Sequence, residues 1–220
     1  MLERLRSPFK RLIAPVARWL VSLGLTANAV TVIGAVGTIL AAVATGVTGW
    51  LFAGAAVMTI LVIFDSLDGS IAAITTGGTP YGAFLDSTLD RIADWAVLVS
   101  VTLYFILHTP WSRTWNSAPT AADAVAWTGI VAALVAVMTS FVTSYARARA
   151  ESVGYEAKNG VATRSDRLAI ILVGMALAGL TGVDAILAAD MVLLAVLGAV
   201  TVVQRMALVH REMTRDDEGA

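Results

Sequence analysis

The chain of 220 residues is 58% apolar and 14% charged, with a mean hydropathy of +0.79. Soluble domains run nearer ~45–50% apolar and ~25% charged, so a water-soluble globule of this size is excluded for want of polar side chains to cover it. Fifteen basic residues against sixteen acidic ones leave a formal net charge of −1 and no bulk attraction for nucleic acid. The absence of cysteine removes disulfides, thiolate metal sites and cysteine nucleophiles. An all-α integral membrane protein of several spans remains.

The first expected element is Leu5–Leu20, basic and apolar by turns, with Pro8 and Pro15 near helix starts. It reads as an N-terminal amphipathic helix lying in the membrane interface, with a disordered basic leader as the alternative. No charged residue then occurs from Trp19 to Phe64, a run of 46. One crossing takes ~20 apolar residues, so the run holds two, over 26–46 and 50–74, turning at Gly46-Val47-Thr48-Gly49. Because the first apolar run continues straight into a second, no cleaved leader is expected. Later uncharged stretches predict spans over 82–107, 122–150, 166–181 and 185–210, the last two separated around Gly179–Gly182. Six transmembrane helices in a single membrane domain over 1–220 result, ending in a frayed tail from Asp216.

The Lys/Arg bias sets the orientation. Arg4, Arg6, Lys10, Arg11 and Arg18 precede the first span. Arg147, Arg149, Lys158, Arg164 and Arg167 fall between the fourth and fifth, and Arg205, Arg211 and Arg215 close the sixth. The opposite side carries only Arg113, in the Trp111–Asn116 loop. Both termini are therefore expected on the cytoplasmic side of the cell membrane.

Ionisable groups at membrane depth cost ~2.5 kcal/mol or more each, so they normally face a protein interior. Five acids fall within thirty residues here: Asp65, Asp68, Asp86, Asp90 and Asp94. Three apart, Asp65 and Asp68 are expected on one helix face near the cytoplasmic end of the second span. Asp86, Asp90 and Asp94 step by four along the third, and the short link 75–81 lets the two stripes confront each other as an antiparallel hairpin. Like charges converging at low dielectric protonate unless a cation relieves them. All-oxygen ligation suits Mg²⁺ or Mn²⁺, ions that also bind phosphate. Gly69 and Gly82 remove side chains where a ligand could come close. Asp94, Asp123, Asp184 and Asp190 read instead as caps or surface groups at span ends.

Written out, the segment is Asp65-x2-Asp68-Gly69-x2-Ala72-x9-Gly82-x3-Asp86-x3-Asp90. It resembles the signature of the CDP-alcohol phosphotransferase family, departing at Ala73, where the family carries an Arg that contacts the nucleotide–diphosphate end of the donor. The resemblance implies transfer of a phosphatidyl group from CDP-diacylglycerol, a membrane lipid, to an acceptor hydroxyl with loss of CMP, by two-metal in-line displacement. It casts Asp65, Asp68, Asp86 and Asp90 as ligands of two Mg²⁺ or Mn²⁺ ions, and Asp90 also as the base toward the acceptor hydroxyl. Thr26–Thr31 is similar to the family's N-x-x-T element. That makes Asn28 and Thr31 candidate nucleotide contacts along with Gly69, Ala73, Thr79 and Gly82, although Asn28 also suits plain helix capping. A homodimer is implied as well.

The later basic cluster bears on the acceptor. Arg205 lies within an apolar stretch, where a guanidinium needs an anion or a route to water. Guanidinium binds phosphate bidentately, so arginines from three helix ends read as a pocket for a phosphorylated acceptor. The runs Ser144–Glu151, Arg164–Leu168 and Val203-Gln204-Arg205 are similar to those of an actinobacterial branch of the family that makes phosphatidylinositol phosphate from 1D-myo-inositol 3-phosphate. That likeness casts Ser144, Arg147, Arg167 and Arg205 as phosphate contacts and leaves Arg164 open. Headgroup anchoring, or pairing with Glu151 and Asp166, is the alternative, and it is the expected role of Arg149 and Arg211. A rival within the family is phosphatidylglycerophosphate synthase, whose acceptor is glycerol 3-phosphate. A rival from another class is a divalent-cation or proton-coupled transporter, against which stand the clustering of the acids at one membrane face and the lack of an inverted repeat.

Overall fold

The structure, a computed structural model, describes residues 6–65, 67–75, 77–109 and 120–219, of which 6–13 and 217–219 are described by backbone only. Arg4, Arg113 with the 111–116 loop, and Ala220 lie outside the described residues. Among the described residues there are eight helices and no strand: α1 (Arg6–Ser22), α2 (Ala27–Thr48), α3 (Leu51–Asp65), α4 (Asp68–Thr75), α5 (Pro80–His108), α6 (Ala121–Ser152), α7 (Arg164–Thr181) and α8 (Asp184–Gly219). Five stretches are long and apolar enough to cross a membrane: Ala27–Thr48, Leu51–Thr75, Pro80–His108, Ala121–Ser152 and Asp184–Asp216. The expected fifth of six spans, α7, falls short of that standard. Arg164, Asp166 and Arg167 occupy its first turn, and the fourteen uncharged residues 168–181 rise only ~21 Å at 1.5 Å per residue, against a hydrocarbon core of ~30 Å.

The chain divides into two compact units, Met1–Ser100 and Val101–Ala220. In the first, Thr26 caps α2 by accepting from the Ala29 N–H at 3.2 Å. The helix ends on Gly49, whose φ of +74° is the left-handed conformation glycine adopts without a Cβ clash. Gly46, expected within the turn, is instead buried inside α2. From Gly49 the chain returns at once as α3, which packs back along α2. Contact is close because glycines meet side chains across it: a Cβ on Gly54 would lie 1.9 Å from Thr45 Oγ1, and one on Gly37 would lie 3.0 Å from Leu61 Cδ2. α1 packs on α4 through Ala17 and Leu20, which form a small core with Val30, Leu67 and Ile71, flanked by Val21, Leu25 and Phe64. Val16 and Trp19 on α1, and Leu23 just after it, are left exposed. Pro15, expected near a helix start, lies inside α1.

In the second unit the long helices α6 and α8 pack together, and α7 packs on α8. Capping boxes start two of these helices, Thr120 with Asp123 for α6 and Thr163 with Asp166 for α7. Small residues again set the spacing, as where a Cβ on Gly198 would lie 2.3 Å from Thr139 Oγ1. Asp123 caps as expected. Asp184 begins α8, and its Oδ1 accepts from the Tyr104 hydroxyl at 2.7 Å. Asp190 departs from expectation: it lies inside α8 rather than at a span end, packed against Gly174 of α7 with Oδ2 buried and without a hydrogen-bond partner among the described residues. The expected span 185–210 already contains Asp190, and what the sequence cannot show is that the side chain packs inward against Gly174 rather than at the surface.

Candidate active site

Two glycines at positive φ, Gly77 and Gly78, reverse the chain between α4 and α5. Thr79 then caps α5, its Oγ1 accepting from the Gly82 N–H at 3.0 Å. Along α5, Asp86 and Asp90 fall one above the other at i and i+4. Asp65 meets them from the last turn of α3. Each of Asp65, Asp86 and Asp90 offers one carboxylate oxygen, and these oxygens all lie within 4.8 Å of one another on half-buried side chains. Hard oxygens converging at this spacing fit a divalent cation, whose charge offsets the repulsion that otherwise opposes such a cluster.

The expected sharing of one helix face by Asp65 and Asp68 does not hold. α3 ends at Asp65 and α4 begins at Asp68, so the backbone between them is not continuous helix and a spacing of three no longer aligns the side chains. Asp68 stands outside the three-carboxylate group. Its Oδ2 accepts from the buried Thr31 hydroxyl at 2.7 Å and its Oδ1 from the Gly69 N–H. Thr31, expected as a nucleotide contact, thus orients Asp68. Asp94, one turn beyond Asp90, is also outside the group.

The donor candidates gather only in part. Because Thr26 caps α2, Asn28 lies inside the helix and the capping alternative for it fails. A Cβ on Gly82 would sit 3.0 Å from Asn28 Oδ1 and 3.1 Å from Thr79 Oγ1, so these three candidates adjoin one another, with Thr79 engaged as a cap. Gly69 is exposed, and a Cβ there would meet nothing within 4 Å. Ala73 is exposed on α4, and nothing in the structure accounts for its replacing the family Arg. One residue missed from sequence is Gly34. A Cβ at that position would come within 3.0 Å of Asp65 Oδ1, so its lack of a side chain lets α2 pass directly behind this member of the carboxylate cluster. The signal was present as two glycines, Gly34 and Gly37, one turn apart in a span.

In the second unit, Arg205 is the buried cation, 7% exposed. Its Nε donates to the Asn159 carbonyl at 3.1 Å and its Nη1 to the Thr143 carbonyl at 2.5 Å. Arg147 and Arg167 stand within electrostatic range of it, as does Glu151 with opposite sign. Arg147 pairs with Glu151 at 2.9 Å on an exposed surface, an arrangement worth little in stability. Arg167 Nη1 donates to the Ala162 carbonyl at 3.3 Å. Arg164 is half-buried in the first turn of α7, and Ser144 is half-buried on α6. Thr143 Oγ1 is buried with no hydrogen-bond partner among the described residues. Arg149 and Arg211 are exposed, as their expected surface role requires.

The CDP-alcohol phosphatidyltransferase family model matches residues 24–203. The phosphatidylinositol phosphate synthase of Cutibacterium acnes is 38% identical over 218 residues, covering 96% of this chain and 98% of the relative. That of Mycobacterium tuberculosis is 36% identical over 203 residues, covering 91% and 87%. The crystal structure of the M. tuberculosis enzyme with CDP-DAG bound superimposes with a TM-score of 0.78 at 36% identity, covering 90% of this chain and 94% of the other. The same enzyme in complex with manganese and citrate gives 0.78 at 35%, covering 89% and 88%. Three carboxylates gathered from two helices at a spacing that fits a hard cation, on a scaffold with helices long and apolar enough to cross a membrane, together with a family match over most of the length, make this chain a member of the CDP-alcohol phosphatidyltransferase family.

Proposed function

We infer that the protein transfers the phosphatidyl group of CDP-diacylglycerol to a hydroxyl of an inositol phosphate, 1D-myo-inositol 3-phosphate, releasing CMP. The relatives named above support the donor and acceptor classes. The observation that carries the reading is the convergence of Asp65, Asp86 and Asp90 within 4.8 Å. These three hold the metal in this proposal, and the family resemblance adds Asp68, oriented by Thr31, to a set serving two Mg²⁺ or Mn²⁺ ions. A bound divalent ion supplies Lewis-acid polarisation of the phosphoryl oxygens and acidifies a nearby hydroxyl.

The remaining chemistry falls to the chain. Asp90 takes the proton of the acceptor hydroxyl, whose oxygen bonds to the phosphorus bearing the diacylglycerol. The bond from that phosphorus to the bridging diphosphate oxygen breaks, and CMP leaves with the electron pair. Asn28, Thr31, Gly69, Ala73, Thr79 and Gly82 bind the donor nucleotide. Arg205, with three of its five N–H donors outside its two recorded bonds, takes the acceptor phosphate together with Ser144, Arg147, Arg164 and Arg167. Arg147 and Arg167 add positive charge around this buried guanidinium that Glu151 alone does not offset, which favours a phosphorylated acceptor.

The same reading makes α1 an interfacial helix, exposing Val16 and Trp19, with Leu23 just after it, to lipid, and α7 a sixth span with its charged first turn at headgroup level. The family match, 24–203, supports a single domain. Both termini lie on the cytoplasmic side of the cell membrane in this proposal, and the active form is a homodimer. The transporter alternative has no comparable support.

The test is an acceptor panel of inositol phosphate, glycerol 3-phosphate, free inositol and serine, each supplied with CDP-diacylglycerol to the purified protein with and without Mg²⁺ or Mn²⁺. Labelled lipid is expected from inositol phosphate only, and only with metal. Preference for glycerol 3-phosphate overturns the acceptor assignment, and turnover undiminished by chelation overturns the metal site.

A further inference from the structure

The connection between α6 and α7 has no helix or strand of its own, yet it is pinned to one helix at successive points, three of them through its backbone. The Tyr155 hydroxyl donates to Asp216 Oδ2 at 2.9 Å. The Asn159 carbonyl accepts from Arg205 Nε at 3.1 Å. Gln204 Oε1 accepts from the Val161 N–H at 3.1 Å, and Thr201 Oγ1 lies 3.4 Å from the buried Ala162 N–H. As the connection advances from Tyr155 to Ala162, its partners recede along α8 from Asp216 to Thr201, so it runs antiparallel to that helix as a strap.

Two of the strap's carbonyls hold arginines: Asn159 holds Arg205, and Ala162 holds Arg167. The bonds to the strap therefore help to fix where both guanidinium forks point, together with the Thr143 carbonyl in the case of Arg205. Gly160 sits between the two anchor carbonyls. Its φ is not in the left-handed region, so its backbone conformation is open to any residue. What excludes a side chain is Thr201, because a Cβ on Gly160 would lie 2.4 Å from Thr201 Cγ2 and 3.5 Å or more from that residue's other atoms. Thr201 is fully buried, and its hydroxyl is tied to the Leu197 carbonyl at 2.8 Å, so it has little room to yield.

We propose that residues 159–162 are a positioning strap for the acceptor pocket, with Gly160 and Thr201 as the pair that seats it and thereby aims Arg167 and Arg205 at the acceptor phosphate. This rests on the assignment of those arginines to an inositol phosphate acceptor. Gly160 and Thr201 are positioning residues, since neither is assigned a contact with substrate.

The experiment measures kcat and the KM for each substrate with the full-length purified enzyme, CDP-diacylglycerol and labelled inositol phosphate. Gly160→Ala is expected to raise the acceptor KM about tenfold, the scale of one disturbed buried hydrogen-bonded contact. The donor KM should stay within about twofold, since the donor candidates lie elsewhere in the chain. Thr201→Ser deletes the obstructing methyl and keeps the hydroxyl, so the double variant should return to the acceptor KM of Thr201→Ser alone. Thr201→Val keeps the shape but leaves the Ala162 N–H unpaired, and it should raise the acceptor KM severalfold without any steric clash. Should Gly160→Ala fail to fold, Thr201→Val still decides the matter. An unchanged acceptor KM in the variants overturns the proposal, as does a loss spread evenly over both substrates or one that Thr201→Ser does not reverse. If the unmodified enzyme forms no lipid from inositol phosphate, the acceptor assignment itself falls and takes the strap's role with it.

Discussion

In the proposed reaction Asp90 does two things, ligate metal and accept a proton, and an amide can do neither well. Asp90→Asn keeps the shape of the side chain and removes its charge. We expect kcat to fall by at least ~100-fold, the low end for loss of a general base, while binding of the CDP-linked donor stays measurable by isothermal titration. Turnover within about tenfold of the unmodified enzyme would remove Asp90 from the base role. Arg205 presents a different problem, because it is buried and two backbone carbonyls depend on it. Arg205→Ala should raise the acceptor KM on the order of 10–100-fold, the range for losing charge-assisted hydrogen bonds, with a much smaller change in donor KM. Arg205→Lys should recover only part of the loss, since an ammonium carries the charge without the planar fork. Equal changes in both KM values in steady-state assays would make Arg205 a structural residue.

The α2–α3 hairpin and the α3–α4 break act at the scale of elements. The hairpin brings α3 close enough to α2 for Asp65 to sit over Gly34, and it does so by omitting side chains at Gly34, Gly37 and Gly54. Gly54→Ala places a Cβ 1.9 Å from the Oγ1 of buried Thr45, which is bonded to the Ala41 carbonyl and poorly able to move. Overpacking of this kind costs about 1–3 kcal/mol, so the unfolding midpoint in detergent should drop by several degrees, ~2–4 °C for each kcal/mol. An unchanged midpoint would show that the hairpin relaxes freely. The break between Asp65 and Asp68 separates two jobs that a continuous helix would merge. Asp65 joins Asp86 and Asp90, and Asp68 turns to Thr31 on α2.

For the molecule as a whole, the proposed topology turns on α7. If α7 crosses the membrane, Lys158 before it and Thr181 at its end lie on opposite faces, and both side chains are exposed. The absence of native cysteine makes this directly testable. In intact cells a membrane-impermeant maleimide should label Thr181→Cys and spare Lys158→Cys, and permeabilisation should expose both. Similar labelling of the two in sealed cells would remove the sixth crossing, and the reverse pattern would invert the orientation. A sixth crossing of only fourteen uncharged residues demands local thinning of the bilayer or seating of its charged first turn in the headgroups.

Much of this was legible in one dimension. Apolar run lengths located most helices to within a few residues, but the expected span 50–74 is two helices, α3 and α4, and α8 extends well past the expected 210 to Gly219. The fourfold spacing of Asp86 and Asp90 marked a shared face because an α-helix converts spacing into direction by local geometry alone. The same conversion misled at Asp65 and Asp68, where a helix break invisible in an apolar run cancels the periodicity on which the inference depended. The partners of Arg205 were beyond reach for a more general reason. They are backbone carbonyls, which every residue carries, so composition cannot distinguish Asn159 and Thr143 from any other position. Gly160 and Thr201 likewise meet only because the chain folds back along α8. Covalent neighbourhood dictates helix, cap and face, whereas contacts between distant segments depend on where packing brings two backbones together.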